Sequence, residues 1–196
     1  SGGEYGDNTV QVWDAANGQH LYTHTDQYRV FAAPWSPRES MIASGSFDGT
    51  VCVWDARSGQ HIYTYRGHQG PVYTVAWSPD GRMLASAGQD TTVQVWLART
   101  GQLVYCYRGH SGAVKTLGWS PDGRSIASGG DDCCVQIWSA TNGRQRIIDD
   151  THSSWVRALS WSPDGVQVTA ASGRSIRSVH VESGEDKSVS LCPTET

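Results

Sequence analysis

The sequence has little of what several common functions require. It carries 15 Lys and Arg against 19 Asp and Glu, and a formal charge of −4 argues against a nucleic-acid partner, which would favour a basic stripe. No apolar run approaches the ~18 residues that a membrane helix needs. The first residues, SGGEYGDNTV, have neither the basic nor the apolar region of a signal peptide. We therefore predict no nucleic-acid partner, no membrane partner and no secretion signal.

The five cysteines indicate neither a disulfide framework nor a zinc site, because their number is odd and no CxxC motif occurs. Cys133 and Cys134 are adjacent and could form a strained vicinal disulfide, but two free thiols at strand positions are the favoured interpretation. Free thiols are typical of a reducing compartment, so we predict a cytoplasmic protein.

Glycine, tryptophan and tyrosine are abundant, with 22, 9 and 8 copies, whereas helix-forming residues are scarce. Eight of the nine tryptophans fall into two series that share one period. The first series advances by one constant step through Trp35, Trp77, Trp119 and Trp161. The second advances by almost the same step through Trp13, Trp54, Trp96 and Trp138, and its next step falls on His180. This period indicates tandem repeats of β structure, and we predict that all eight tryptophans are core residues.

Each repeat contains the turns and strands of a small antiparallel sheet. The tetrapeptide SPDG recurs at 78–81, 120–123 and 162–165, and its Pro, Asp and Gly suit successive positions of a tight turn. Between the turns lie short alternating runs such as VYTVAW (72–77) and LVYCY (103–107). Four such strands in every repeat of about 42 residues are the pattern of a β-propeller blade.

These motifs give the sequence a specific resemblance to the WD-repeat (WD40) propellers over essentially its whole length. The residues that carry it are Gly67-His68, Gly109-His110, the WSPDG turns, Asp90, Asp132, Trp13-Asp14 and Trp54-Asp55. The sequence departs from the family pattern where the Trp-Asp dipeptide is not kept, at Trp96-Leu97, Trp138-Ser139 and His180-Val181.

We predict an all-β fold, a β-propeller of four-stranded antiparallel blades with about four and a half blades in the chain. Residues 1–196 form one array: a half blade at 1–24, blades at 25–65, 66–107 and 108–149, and a degenerate last blade at 150–196. A blade buries its faces only against its neighbours, so an incomplete ring leaves two faces exposed. We expect either a fragment, the C-terminal part of a larger propeller, or a homo-oligomer, such as a dimer that completes a ring. Partial closure with a gap is another option.

Two repeated sets of side chains look at first like hydrolytic triads. They are His68, Ser86 and Asp90, and His110, Ser128 and Asp132. A catalytic set is needed once, whereas these sets recur, and the resemblance instead implies structural tetrads completed by Trp96 and Trp138. A buried indole N–H and imidazole need hydrogen-bond partners, which such a tetrad supplies.

The other copies of the tetrad are incomplete. In the copy around Trp54, the resemblance implies Ser44 and Asp48, with Asp26 in the histidine position. The last copy keeps His152, with Ala170, Arg174 and His180 in the other three positions. The repeated histidines could also be considered as metal ligands, but neighbouring blades of a ring hold them too far apart to share one ion.

Trp155 lies outside both tryptophan series, and the resemblance places it in a loop of the propeller top face, where partners dock. It could instead pack over the degenerate last blade. Equivalent positions in all copies give the candidate partner-binding residues Trp155, Arg157, Tyr73, Lys115, Phe31, Arg29, Phe47, Gln89 and Asp131, with Pro71 and Ala113. Aromatic, arginine and amide groups are typical of protein and peptide interfaces.

We therefore predict a non-catalytic scaffold that presents the top face to a protein or peptide partner. Two alternatives stay open: a regulatory or sensor domain of a larger signalling protein, and an enzyme that uses the central channel. The enzyme would need a unique acid, base or metal cluster, and Lys115, Arg157, Asp131 and Asp132 form no known constellation. No catalytic residue, cofactor or metal is predicted.

Overall fold

The structure is a computed structural model that describes residues 9–25 and 28–181, apart from the side chain of Arg146, and the backbone of residues 186–190. The predictions for Asp26 and Cys192 lie outside these residues. The strands are β1 (Thr9–Trp13), β2 (His20–Thr25), β3 (Val30–Ala32), β4 (Met41–Ser46), β5 (Val51–Asp55), β6 (His61–Tyr65), β7 (Val72–Trp77), β8 (Met83–Gly88), β9 (Val93–Leu97), β10 (Leu103–Tyr107), β11 (Val114–Trp119), β12 (Ser125–Gly130), β13 (Val135–Ser139), β14 (Gln145–Asp149), β15 (Val156–Trp161), β16 (Gln167–Ser172), β17 (Ser175–His180) and β18 (Asp186–Ser190). The described residues contain no helix that could span a membrane.

Consecutive strands pair antiparallel into five sheets: β1–β2, β3–β6, β7–β10, β11–β14 and β15–β18. The prediction of an all-β fold with four-stranded antiparallel blades and a partial blade is therefore confirmed. Because strand direction alternates, two kinds of loop lie at the same end of every sheet. One kind joins a fourth strand to the next first strand, and the other joins the second strand to the third. We call this end the top face.

The SPDG turns, at the end opposite the top face, are held by their own side chains. The Ser78 hydroxyl donates to Asp80 Oδ1 at 2.6 Å, and the same oxygen accepts the Arg82 N–H at 3.0 Å. Ser78 Oγ also accepts the Met83 N–H at 2.9 Å. Gly81 completes the turn with a φ of 72°, which only glycine adopts at no steric cost.

The first tryptophan series joins each sheet to the one before it. Three indole N–H groups donate to backbone carbonyls of the preceding sheet at 3.0–3.1 Å: Trp77 to Pro34, Trp119 to Ala76, and Trp161 to Gly118. Because each indole is hydrogen-bonded at this boundary, the tryptophans fix the spacing between neighbouring sheets.

The prediction that all eight tryptophans are core residues is wrong for two of them. Trp54, Trp96 and Trp138 are 0% exposed, but Trp13 is 50% and Trp35 is 56% exposed. Trp35 occupies the position from which its equivalents reach the first strand of the preceding sheet. In the described part of the chain that sheet consists of β1 and β2 alone, so no first strand covers Trp35.

Candidate functional site

The first strand of every four-stranded sheet carries a β-bulge at the same place near the top face. The pairing skips one residue between Val30 and Ala32, Val72 and Thr74, Val114 and Thr116, and Val156 and Ala158. The skipped residues are Phe31, Tyr73, Lys115 and Arg157, all of which belong to the predicted top-face set. A bulge leaves its extra residue unpaired and redirects the side chain. Four neighbouring sheets therefore present these side chains from equivalent positions.

Backbone hydrogen bonds fix the bulges to the loops between second and third strands. The N–H groups donate at 2.9 Å as follows: Phe47 to Arg29, Gln89 to Pro71, and Asp131 to Ala113. Gly88 lies directly beside one of these bonds, and a Cβ atom there would overlap the carbonyl oxygen of Pro71. Backbone hydrogen bonds thus connect, in pairs, residues that the sequence analysis proposed as separate candidates.

Replacing Gly88 by alanine is expected to destabilise the protein by about 2 kcal/mol, because the new methyl group has no room beside a backbone atom. The measurement is the midpoint of chemical denaturation. Ser46 pairs with Val30 as Gly88 pairs with Val72, so Ser46→Ala is the matched control and should cost less than about 1 kcal/mol. A loss in Gly88→Ala no larger than the loss in Ser46→Ala would contradict the overlap with the Pro71 carbonyl oxygen.

Aromatic rings on the top face contact one another across the boundary between two sheets. The Phe31 ring packs edge-on against the Tyr73 ring with centroids 5.2 Å apart, and it lies 6.4 Å from the Phe47 ring. Cations flank this row: the Arg29 guanidinium is 5.0 Å from the Phe31 centroid, and Lys115 Nζ is 3.8 Å from the Tyr73 centroid. We call this row of five side chains the aromatic ladder.

Polar groups hold the centre of the aromatic ladder. The Tyr73 hydroxyl donates to Gln89 Oε1 at 2.5 Å, and Lys115 Nζ lies 3.3 Å from Asp131 Oδ2. The side chains of Lys115 and Asp131 are only 29% and 28% exposed, so water screens this pair less than a fully exposed one. Seven of the nine candidate residues are therefore brought together in one connected surface.

Trp155 and Arg157 form a separate pair on the last sheet. The Arg157 guanidinium lies 5.4 Å from the centroid of the Trp155 ring, which is 50% exposed. Phe47 in the aromatic ladder is 54% exposed. Large apolar side chains exposed next to cations are the residue types that dominate protein interfaces.

Buried hydrogen-bond networks underlie the top face. In the third sheet, the Trp96 indole donates to Ser86 Oγ at 3.1 Å, Ser86 Oγ lies 2.8 Å from His68 Nε2, and His68 Nδ1 lies 2.9 Å from Asp90 Oδ2. An indole only donates and a carboxylate only accepts, so Ser86 donates to Nε2 and His68 donates from Nδ1. The fourth sheet repeats the arrangement at 2.7–3.2 Å with His110, Ser128, Asp132 and Trp138.

These networks have the residue types of a Ser-His-Asp triad without its accessibility. Ser86 and Ser128 are 0% exposed, and each hydroxyl oxygen already accepts an indole N–H. A serine nucleophile needs an open position where a substrate carbonyl can approach. The geometry of these sets therefore suits a structural role, in which they tie a top-face loop to the second and third strands.

The two network carboxylates are held in the charged form. Burial alone would raise the pKa of Asp90, but hydrogen bonds from His68 and from the Gln69 N–H hold it below the ordinary value. Burial would likewise raise the pKa of Asp132, but donation from His110 outweighs this effect and lowers it. Each carboxylate is thus better stabilised as an anion in the folded chain than in the unfolded chain.

Acid is therefore expected to destabilise the fold through Asp90 and Asp132. A carboxyl group whose pKa is lowered by folding contributes stability above its unfolded pKa of about 3.9, and this contribution is lost as the pH falls through the folded value. We expect the denaturant concentration at the midpoint of unfolding to decrease as the pH is lowered below about 4, and to decrease less steeply in Asp90→Ala. Identical acid profiles for the wild type and the variant would contradict the lowered pKa.

Sequence reasoning missed a tyrosine–glutamine pair that extends each network. The Tyr65 hydroxyl donates to Gln94 Oε1 at 2.7 Å, and Gln94 Nε2 donates to the Gly67 carbonyl at 3.2 Å. The Tyr65 ring stacks on the Trp96 indole with centroids 4.6 Å apart. Burial raises the pKa of Tyr65 to about 12, which keeps the phenol a donor. The equivalents are Tyr107 and Gln136, and their recurrence one repeat later is the signal that could have revealed them.

The network around Trp54 is incomplete among the described residues. The indole is fully buried, yet its Nε1 has no hydrogen-bond partner there. His24 stacks on the indole with centroids 5.0 Å apart. Asp48 accepts the N–H and the hydroxyl of Thr50 at 2.9 and 2.7 Å, as Asp90 does from Thr92, but no histidine from the described ranges reaches it.

The last sheet gives its histidine different partners. His152 Nδ1 lies 2.8 Å from Ser172 Oγ, and His152 Nε2 lies 3.2 Å from Asp149 Oδ2. Ser172 stands two residues after Ala170, which occupies the serine position of the tetrad. Arg174, in the aspartate position, is exposed in a hairpin whose closing pair is Ser172 and Ser175.

In the described part of the chain, no group of three or more His, Cys, Asp or Glu side chains could hold a metal ion. The residues that the structure does bring together are the aromatic ladder and the networks beneath it. The aromatic ladder is partly exposed and can contact another molecule, whereas the networks are buried.

Together, the fold and the top face define a repeat protein in which antiparallel sheets pack one after another like the blades of a propeller. The family described as "WD domain, G-beta repeat" matches residues 17–55, 59–96, 101–139 and 144–178. The protein belongs to this WD40-repeat family. WD40 repeats generally mediate protein–protein interaction, and the family is typically non-catalytic. No curated protein matches the chain.

Proposed function

We propose that the chain is a non-catalytic scaffold that binds a protein or peptide partner on its top face. The single observation that carries this proposal is the set of four equivalent bulges, which direct Phe31, Tyr73, Lys115 and Arg157 to one end of the array. Because the bulge recurs in four sheets, each of these sheets presents one such side chain near the top face.

The buried hydrogen-bond networks beneath the top face support the same proposal. Loops that are tied to buried networks keep their side chains in place, and this lowers the entropy cost of binding. The interaction role of WD40 repeats in general agrees with it. Cys52, Cys106, Cys133 and Cys134 form no disulfide with one another, which suits the cytoplasmic location that is part of the proposal.

The experiment is a selection of peptides from a random displayed library on the immobilised chain, followed by cross-linking from a photoreactive group in the selected peptides. We expect cross-links in the top-face loops, including residues 28–31, 47, 71–73 and 155–157. Cross-links confined to the SPDG turns, or a selection that enriches no peptide, would overturn the proposed function.

A further inference from the structure

The last sheet presents an unneutralised cationic corner on the top face. Arg157 and Arg174 are both exposed, and no carboxylate of the described residues lies within ion-pair distance of either guanidinium. Lys115 on the neighbouring sheet differs, because Asp131 already pairs with it. The corner therefore has two cations with capacity for an external anion.

Arg157 contacts a large aromatic ring, and Arg174 lies on the hairpin that adjoins the loop of that ring. Arg157 lies over the Trp155 ring at 5.4 Å. The hairpin that carries Arg174 packs against the loop that carries Trp155, because a Cβ atom at Gly173 would lie 3.2 Å from the Ser154 side chain. A half-exposed indole thus has a guanidinium over its face and a second arginine on the adjoining loop.

This corner arises where the repeat breaks its own pattern. The equivalent positions in the two preceding sheets are Asp90 and Asp132, which bind histidines, whereas the last sheet has Arg174. Asp149 is buried, and its Oδ2 lies 3.2 Å from His152 Nε2. Asp150 is exposed on the same loop as Trp155, but it is not within ion-pair distance of either arginine.

We infer that this corner binds an acidic segment of a protein partner, with Asp or Glu carboxylates on Arg157 and Arg174 and an apolar side chain on Trp155. The inference rests on the proposed function and adds the chemistry of the partner. Arginine binds carboxylates through two parallel hydrogen bonds, and a guanidinium already placed over an indole loses less freedom on binding. Because the chain has an overall charge of −4, non-specific attraction would favour basic peptides. A preference for acidic peptides would therefore come from this corner.

The experiment uses the full chain and the peptides selected from the random displayed library. We expect the enriched peptides to be rich in Asp and Glu and to bind more weakly as salt is raised. Arg157→Glu and Arg174→Glu should each weaken their binding by about tenfold or more. Arg124→Glu is the matched control, since Arg124 is exposed beside an SPDG turn at the opposite end, and it should leave the affinity unchanged.

The outcomes separate this inference from the proposed function. Enriched peptides without acidic bias, or equal binding by Arg157→Glu, Arg174→Glu and the wild type, would overturn the acidic-segment inference. If such peptides still cross-link to the top-face loops, the proposed function stands. An equal loss in Arg124→Glu would show non-specific attraction and would also overturn the inference. Both test arginines are exposed, so thermal melts should show all variants folded.

Discussion

Asp90→Ala is expected to lower the free energy of unfolding by about 3 kcal/mol, the largest stability effect that we predict. The Asp90 carboxylate accepts four hydrogen bonds, from His68, the Gln69 N–H, and the N–H and hydroxyl of Thr92, at 2.9–3.1 Å. Alanine leaves the buried imidazole donor unpaired, which costs more than the hydrogen bond contributed. Guanidinium denaturation followed by tryptophan fluorescence measures the loss.

Asp48→Ala is the matched control for this prediction. Asp48 occupies the same repeat position and accepts the same two bonds from Thr50, but it is exposed and binds no histidine of the described residues. The expected cost is about 1 kcal/mol. If the two variants lose the same stability, the histidine network contributes nothing beyond an ordinary turn, and its role as support for the top face is wrong.

Trp155→Ala is expected to weaken binding of the selected peptides by more than about 2 kcal/mol, roughly thirtyfold, with little change in stability. The ring is 50% exposed and holds Arg157 over its face, so its removal deletes an apolar contact and releases the guanidinium. Isothermal titration with a selected peptide measures the affinity, and a thermal melt measures the stability.

Leu103→Ala provides the control for Trp155→Ala, because Leu103 is 47% exposed on the outer strand β10, away from the top-face loops. It should change neither affinity nor stability by more than about 0.5 kcal/mol. A thermal melt in which Trp155→Ala is more damaging than Asp90→Ala would assign Trp155 to packing and remove it from the binding surface.

The repeat period predicted the fold because residues of one type at one spacing make the same contact in each copy. VYTVAW and LVYCY became β7 and β10 with the predicted bounds, and the tetrad residues of two sheets lie within hydrogen-bond distance. The pair of Tyr65 and Gln94 could also have been predicted from the repeat, since both residue types recur one repeat later. It was missed because their contact joins two sheets and neither residue stands in the family motif.

Other features depend on neighbours that a period does not specify. Trp35 has the sequence context of Trp77, and only the absence of a first strand beside it in the described residues makes it exposed. The bulges could not be predicted either, because pairing that skips Tyr73 leaves the alternation of VYTVAW looking like an ordinary strand. In the last sheet, a two-residue hairpin moves the serine partner of His152 to Ser172.

The most direct test of top-face binding on a rigid scaffold is a titration of the ¹⁵N-labelled chain with a selected peptide, followed through the indole N–H resonances. We expect the Trp155 resonance, assigned with a Trp155→Phe variant, to shift as the peptide is added. The resonances of Trp96 and Trp138, which are fully buried in the networks, should stay in place. A stationary Trp155 resonance, with shifts at Trp96 or Trp138 instead, would contradict both the position of the binding surface and the rigidity beneath it.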